Sequence, residues 1–364
     1  MPRWIVCAGL IAVVSPVANL PGQSPRFRAE VVASGLVTPW SLAWSPDARM
    51  FIAERSGRIR VIEGGRLRPT PWAVVAAYDA PERSYETGLM GLAVDPQYPA
   101  RAFIYACYTH RENDSTMYNR IVRLTGRGLR GGNERVLVDR IPAAAYHNGC
   151  RLKFGPDGKL YATTGDAQVE ARGQDTASLA GKVLRLNPDG SIPSDNPFPN
   201  SLVWSLGHRN AQGLAWEPET NRLFVSEHGT GGIDELNVVE RGGNYGWPVA
   251  RGQAGNAQYR DPVLVLVAAP TGAVFITGKR YPALPPGLLA VTSLSGQRVI
   301  LIQPGDGGAT IYADSAVTGL GRMRDIVRGP DGFLYVSTSN RDGRGTPVAD
   351  DDRVLRLLPV PGQE

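Results

Sequence analysis

The sequence predicts an all-β protein, a six-bladed β-propeller of four-stranded antiparallel sheets. Three observations carry that expectation. A short apolar strand, a Pro-Asp turn and a second strand recur about six times, at a spacing of roughly fifty to sixty residues. Apolar residues alternate with period two inside the strands, and no segment carries a long helical stripe. The chain also holds 43 Gly and 29 Pro in 364 residues. That suits many tight turns better than a helical bundle.

The units can be taken in order. The first runs through Ser41-Leu42-Ala43-Trp44-Ser45-Pro46-Asp47, then residues 50–54 and 58–62. The second holds Gly91-Leu92-Ala93-Val94-Asp95-Pro96, then residues 102–108 and 120–124. Residues 152–157, 160–164 and 182–186 make the third, and residues 213–218, 223–226 and 234–239 the fourth. A weaker fifth covers 273–277, 287–292 and 298–302, and the sixth covers 325–331, 334–337 and 354–357. Antiparallel sheets repeated this way protect their edges by packing radially. Residues 28–32 are expected to share a blade with the last strand and close the ring. Residues 24–364 are thus expected to form one propeller domain.

The first 23 residues read as a secretory signal. Arg3 supplies the positive end, and residues 4–20 are mostly apolar and small, without a basic stop behind them. Cleavage is expected between about Ala18 and Gln23. A periplasmic or secreted chain without stable membrane insertion follows. Cys107 and Cys150 would then remain, either as one disulfide or as separate buried thiols. The formal charge is +5. Its Lys and Arg are scattered, with no basic run and no aromatic-basic interleaving, so nucleic acid is not expected as a partner.

Propeller geometry places the site. Loops entering the innermost strands share one mouth of the central channel. Glu86, His147, Arg209-Asn210 and Arg322-x-Arg324 all lie just before a unit's first strand. Residues from four units would therefore meet there. An imidazole titrates near neutrality and suits proton abstraction from a hydroxyl. Asp166, in Gly165-Asp166, is placed to hold the His147 tautomer. Arginine forks suit an anionic ligand, and Arg322 and Arg324 share one strand face.

An ordered set of motifs resembles the soluble quinoprotein sugar dehydrogenases, the glucose/sorbosone dehydrogenase family. The set is Glu86-Thr87-Gly88-Leu89-Met90-Gly91-Leu92, His147-Asn148-Gly149, Gly165-Asp166, Gly207-His208-Arg209-Asn210-x-Gln212-Gly213, Glu227-His228-Gly229, Asp234-Glu235-Leu236-Asn237, Gly242-Gly243-Asn244-Tyr245-Gly246-Trp247-Pro248 and Arg322-Met323-Arg324-Asp325. The resemblance covers nearly all of the chain beyond the signal, and aldose-type members look nearer than strict glucose oxidisers. It implies pyrroloquinoline quinone (PQQ) and Ca²⁺ as cofactors. The substrate implied is an aldose sugar, oxidised at its anomeric hydroxyl to a lactone. His147 would be the general base, with hydride passing to the quinone and then to an unidentified electron acceptor.

The resemblance also distributes roles. Asp166 and Arg209 join His147 as catalytic residues. Glu86, His147, Arg209, Asn210, Arg322 and Arg324 match cofactor-binding positions. The carbonyls of Gly229 and Thr230 match ligands of a quinone-side calcium, and Glu235 with the Tyr245 carbonyl those of a structural one. Thr230 stands where many members have proline, and Cys150 where glycine is usual. Ser295 stands where the family often has a PQQ-contacting lysine, with Arg298 and Lys279 as possible substitutes. A propeller module that has lost PQQ is the alternative reading. A metal-dependent lactonase lacks its central carboxylate cluster here. The chain is expected as a monomer or homodimer.

Overall fold

In the computed structural model, residues 26–83 and 85–360 are described. The expected signal segment, residues 1–23, lies outside them. Six antiparallel sheets follow one another along the chain. In five, the strand nearest the axis comes first, and each later strand lies further out. The second blade is built from Leu89–Val94, Phe103–Arg111, Met117–Arg127 and Arg130–Pro142. The third uses Gly149–Phe154, Leu160–Thr164, Lys182–Leu186 and Val203–Leu206. The fourth starts at Ala211–Trp216, the fifth at Pro270–Phe275 and the sixth at Met323–Arg328.

The sixth blade closes the ring as expected. Phe27–Ala33 pairs antiparallel with Val354–Pro359 and supplies that blade's outermost strand. The first blade differs in one detail. Its outer position is filled by two short pieces, Arg66–Leu67 and Ala73–Val74, both paired with Arg58–Glu63. Pro69 and Pro71 lie between them, and neither can donate a ladder hydrogen bond. Outer strands of the other blades escaped the sequence reading. Arg130–Pro142 shows why: it is mostly exposed and carries no clean alternation.

The repeat has a physical signature in its turns. Tyr105, Tyr161 and Tyr335 stand at matching register positions, opposite Ala93, Lys153 and Val327. Each donates its hydroxyl to the turn aspartate of its own blade: Asp95 at 3.4 Å, Asp157 at 3.0 Å and Asp331 at 2.8 Å. Phe51 and Phe224 hold the same place in the first and fourth blades, where packing replaces the bond. The apolar clusters lie between neighbouring blades. One joins Tyr105 and Ile121 of the second blade to Leu152, Leu160 and Leu184 of the third.

Two features at the axis position the site. All six inner strands slip register against their second strands near the mouth, between Pro39 and Ser41 in the first blade and Met323 and Asp325 in the last. Such bulges bend a strand and re-aim its side chains. Neighbouring inner strands also approach closely. A Cβ on Gly91 would collide with the Cys150 carbonyl, and one on Gly213 with the Thr271 carbonyl.

Cys107 and Cys150 form a disulfide, which settles the alternative the sequence left open. It ties the second strand of the second blade to the inner strand of the third, three residues beyond His147. It closes a loop with a sequence separation of 43. In the chain-entropy picture such a loop is worth about 3–4 kcal/mol. Cys107→Ala is therefore expected to lower the melting temperature by several degrees under non-reducing conditions, and reductant should do the same to the parent. Equal melting of parent and variant in differential scanning fluorimetry would show that the packed blades need no staple.

Candidate active site

His147 enters the mouth from the third blade. It lies in a left-handed conformation (φ 62), followed by Gly149 (φ 62) and Cys150 (φ 70). For residues with a Cβ this region is unfavourable, so the loop must be held. Asn148 holds it from within. Its side-chain amide donates to the carbonyls of Glu86 (3.2 Å) and Ala144 (2.8 Å), and its oxygen accepts from Asn119 (3.1 Å). From the fourth blade, the Asn210 side-chain oxygen accepts the Gly149 amide at 3.1 Å.

The imidazole is oriented by Asp166. His147 Nδ1 lies 2.8 Å from Asp166 Oδ1. Asp166 is itself buried, and it accepts the Gln168 amide at 2.8 Å and the Trp247 indole N–H at 2.9 Å. An aspartate with these donors around it is an acceptor, so Nδ1 carries the proton and Nε2 is left as the basic nitrogen. The His147 side chain keeps 20% of its surface open.

Glu86 binds the back of the same loop. Its Oε2 accepts the His147 amide at 3.2 Å, and its Oε1 pairs with Arg344 at 2.9 Å. Burial alone would raise this carboxyl. His228, Arg344, Arg324 and the His147 amide outweigh it and hold the group at about 2. Burial in turn pushes His228 down to about 4, against the pull of the Glu86 charge.

The expected arginines converge. Arg322 Nε donates to Asp342 at 2.9 Å, and Arg324 reaches the same oxygen at 3.5 Å and Gln212 at 2.8 Å. Burial lowers Arg324 to about 9, opposed by Asp342. Arg209 Nη1 donates to the carbonyls of His228 (3.2 Å) and Gly229 (2.6 Å), and its guanidinium faces the Trp247 ring. Three buried nitrogens here have no hydrogen-bond partner among the described residues: Arg209 Nε, Arg324 Nε and His228 Nε2. Buried polar atoms left unpaired are costly, and the two on Arg209 and Arg324 are donors that an anionic ligand reaching them would satisfy.

The four expected metal residues come together. Gly229, Thr230, Glu235 and Tyr245 line one small cavity of about 10 Å³, with Glu227, Arg209 and Trp247. Glu235 faces Glu227 across the strand pair. Burial and then the Glu227 charge push Glu235 up to about 7. Glu227 is engaged by His208 at 2.8 Å and by the Arg209 amide. Glu235 accepts the Gly252 amide at 2.7 Å and the Asn237 side-chain amide at 3.2 Å. A cation beside Glu235 and the Tyr245 carbonyl would share the Glu235 oxygens with those donors. Around Gly229 the arrangement is different, because Arg209 already holds its carbonyl. A calcium on the Gly229 and Thr230 carbonyls would share the Gly229 oxygen with Arg209, placing two positive charges on one carbonyl.

Ser295 is exposed at the mouth end of the fifth blade, and Arg298 lies against the same turn, with Nη1 donating to the Gly296 carbonyl at 3.4 Å. Arg298 pairs with Asp314 at 3.1 Å. Lys279 lies in the long turn between Pro270–Phe275 and Leu289–Ser293, at the opposite end of the blade. The sequence reading missed Asp342 and Arg344. Both sit in Ser339-Asn340-Arg341-Asp342-Gly343-Arg344, a polar stretch after the sixth blade's second strand, where turn residues mask charged ones. It also assigned no role to His228.

Comparison with known proteins agrees with this geometry. The family model for glucose/sorbosone dehydrogenases matches residues 36–350. The aldose sugar dehydrogenase YliI of Escherichia coli is 30% identical over 361 residues, 92% of this chain and 96% of that protein. An oxidoreductase (glucose dehydrogenase) of Thermus thermophilus superposes with a TM-score of 0.83 at 44% identity, covering 91% of this chain and all of that one. The PQQ-bound aldose sugar dehydrogenase of Streptomyces coelicolor gives 0.79 at 34% identity, covering 93% and 99%. Because that family model spans most of the chain, the chain belongs to the glucose/sorbosone dehydrogenases.

Proposed function

We propose that the protein is a quinoprotein aldose dehydrogenase, oxidising the anomeric hydroxyl of an aldose to its lactone. The observation that carries this reading is the His147–Asp166 pair, open at the same mouth as the partnerless nitrogens of Arg209 and Arg324. PQQ is the cofactor that the family relationship points to, and the mouth fits it. Its carboxylates and quinone oxygens match guanidinium donors. When bound, it supplies the hydride acceptor.

The protein's own groups then do the following. His147 Nε2 takes the hydroxyl proton of the sugar, and Asp166 stabilises the imidazolium that forms. Trp247 and the Gln168 amide keep Asp166 fixed, so the base does not swing away. Arg209, Arg322, Arg324 and Asn210 would hold the cofactor, with Arg209 supplying a positive charge beside it. Glu86 anchors the His147 loop from behind. Glu235 and the Tyr245 carbonyl would hold a calcium ion that ties the fourth blade's hairpin to its mouth. Export agrees with the Cys107–Cys150 disulfide, a bond kept in oxidising compartments. No helix among the described residues is long and apolar enough to cross a membrane.

Apo-protein titrated with PQQ and Ca²⁺ should gain a visible band that an aldose bleaches. No spectral change with any mono- or disaccharide would overturn the assignment. His147→Ala should keep PQQ binding and lower turnover by about two to four decades, the range for a lost general base. Unchanged turnover in stopped-flow bleaching would remove His147 from the mechanism.

The metal is tested by melting. Ca²⁺ should raise the melting temperature of the chelated parent and leave that of Glu235→Ala unmoved. A parent insensitive to calcium would show that the Glu235 cavity binds none. The missing lysine is tested by affinity. A charge-assisted hydrogen bond is worth about 1.5–3 kcal/mol, or roughly ten- to a hundredfold. Ser295→Lys should therefore bind PQQ more tightly than the parent in excess Ca²⁺. No gain would mean that another cation already serves the quinone.

A further inference from the structure

Lys182 is one of four lysines in the chain, and it is fully buried. Lysine is almost never fully buried without a partner. Here the partners are backbone carbonyls. Its Nζ donates to those of Arg172 (2.6 Å), Ala180 (2.7 Å) and Gly173 (3.2 Å). Arg172 and Gly173 end the 3₁₀ turn Glu170–Gly173, where carbonyls lack partners within the turn. Three carbonyl oxygens pointed at one spot repel one another unless a cation stands between them, as in ion sites built from backbone oxygens. The lysine supplies that cation from within the chain. Burial lowers its ammonium to about 8, opposed by Asp175, so the charge is present at neutral pH. The proton transfer from the sugar gives this group no part.

The gathered carbonyls belong to two segments, and each leads to Asp166. The first is the 3₁₀ turn. Gly173 packs so closely on Trp247 that a Cβ would stand 2.7 Å from the Trp247 carbonyl. The next residue, Gln174, donates its side-chain amide to that same carbonyl at 2.7 Å. Trp247 in turn gives its indole N–H to Asp166. The second segment is Ala180-Gly181. The Gly181 amide donates to the Gly165 carbonyl at 2.8 Å, and the Gly181 carbonyl accepts the His208 amide at 3.2 Å. Gly165 precedes Asp166 and His208 precedes Arg209, and the Asp166 amide bonds the Arg209 carbonyl at 2.8 Å. One ammonium thus gathers both the support of the indole that fixes the Asp166 carboxylate and the support of the backbone on which Asp166 stands.

We propose that Lys182 is a positioning residue for the His147–Asp166 pair, a built-in cation that draws the 170–173 turn and the 180–181 segment together. The inference rests on His147 being the base. Without the charge, the three carbonyls part, the turn no longer backs Trp247, and Asp166 loses the clamp that stops the His147 ring from rotating. Sugar and cofactor contacts stay in place, since Lys182 has no exposed surface.

Proton NMR of the cofactor-free protein tests this directly. The His147 Nδ1 proton shared with Asp166 resonates far downfield and is identified by its loss in His147→Ala. In Lys182→Met, which keeps the stem and removes the charge, this signal should broaden or vanish. The PQQ-loaded variant should lose kcat by roughly ten- to a hundredfold, the cost of a base displaced by about an ångström. Its KM for the sugar and its PQQ affinity should stay within about twofold of the parent, as for a group acting only on the chemical step. A lower melting temperature with the signal and kcat unchanged would make Lys182 a purely structural lysine and overturn the proposal. Should Lys182→Met not fold, ¹⁵N-lysine labelling of the parent decides. An ammonium Nζ for Lys182 at pH 7 upholds the built-in cation, and a neutral amine overturns it. If no sugar reduces the loaded parent, the oxidoreductase reading fails, and the proton signal alone then decides the role of Lys182.

Discussion

Six inner strands must come close enough around one axis to leave no open pore, and the rest of the structure depends on that constraint. It fixes small residues on the facing side of the strands, as at Gly91 against Cys150 and Gly213 against Thr271. It also forces polar backbone and side chains into a narrow dry layer. The bulge near the mouth of every blade follows from the same geometry. Without it, the strands would present both ends of the channel with the same face. With it, the mouth receives Arg322 and Arg324, while Asp325 and the residues after it line the opposite end of the channel.

Charge inside such a layer is tolerated only when paired. Most of it is. Arg322 and Arg324 share Asp342, Arg151 has Asp325, and His208 has Glu227. The pairs are tight but incomplete. Near the axis, unpaired nitrogens remain on Arg209, Arg324, His228 and Arg151, and others remain in the blades, on Arg60, Trp72 and Arg356 among the described residues. Gln212 joins Arg151 and Arg324 within that layer, through its carbonyl and its side chain respectively.

Much of this was legible in the sequence. The period of the turns gave the blade count, and in three blades the turn aspartate is a structural partner of the strand that follows. Ring closure was legible because residues 28–32 had no other strand to pair with. His147, Glu86 and the arginines were found because they stand beside inner-strand starts, which topology forces to one end, and Asp166 because it follows the third blade's second strand, which returns to that end. What stayed hidden depends on facts a sequence does not display. Outer strands are wetted on most faces and lose their period. Asp342 and Arg344 come from a loop whose path is set by buried Asp351 and Asp352, through Asn340 and Arg341, far from any motif. That Arg209 would hold the Gly229 carbonyl, and so compete with a metal there, needs the coordinates of both.

The catalytic loop shows how position is maintained against local preference. His147 and Cys150 both occupy backbone conformations that disfavour a Cβ, by roughly 1–3 kcal/mol each. No single contact offsets that cost. The Glu86 carboxylate holds the His147 amide, Asn148 ties the loop to the second blade, Asn210 ties Gly149 to the fourth, and the disulfide fixes Cys150 to Cys107. Each restraint comes from a different neighbour, so the imidazole is located relative to three blades rather than to its own strand. A base held in this way cannot follow the motion of any one blade. The same arrangement explains why Asp166 needs its own clamp. With the loop fixed, the remaining freedom of His147 is rotation of its ring, and the bond from Nδ1 to an aspartate pinned by Trp247 removes it.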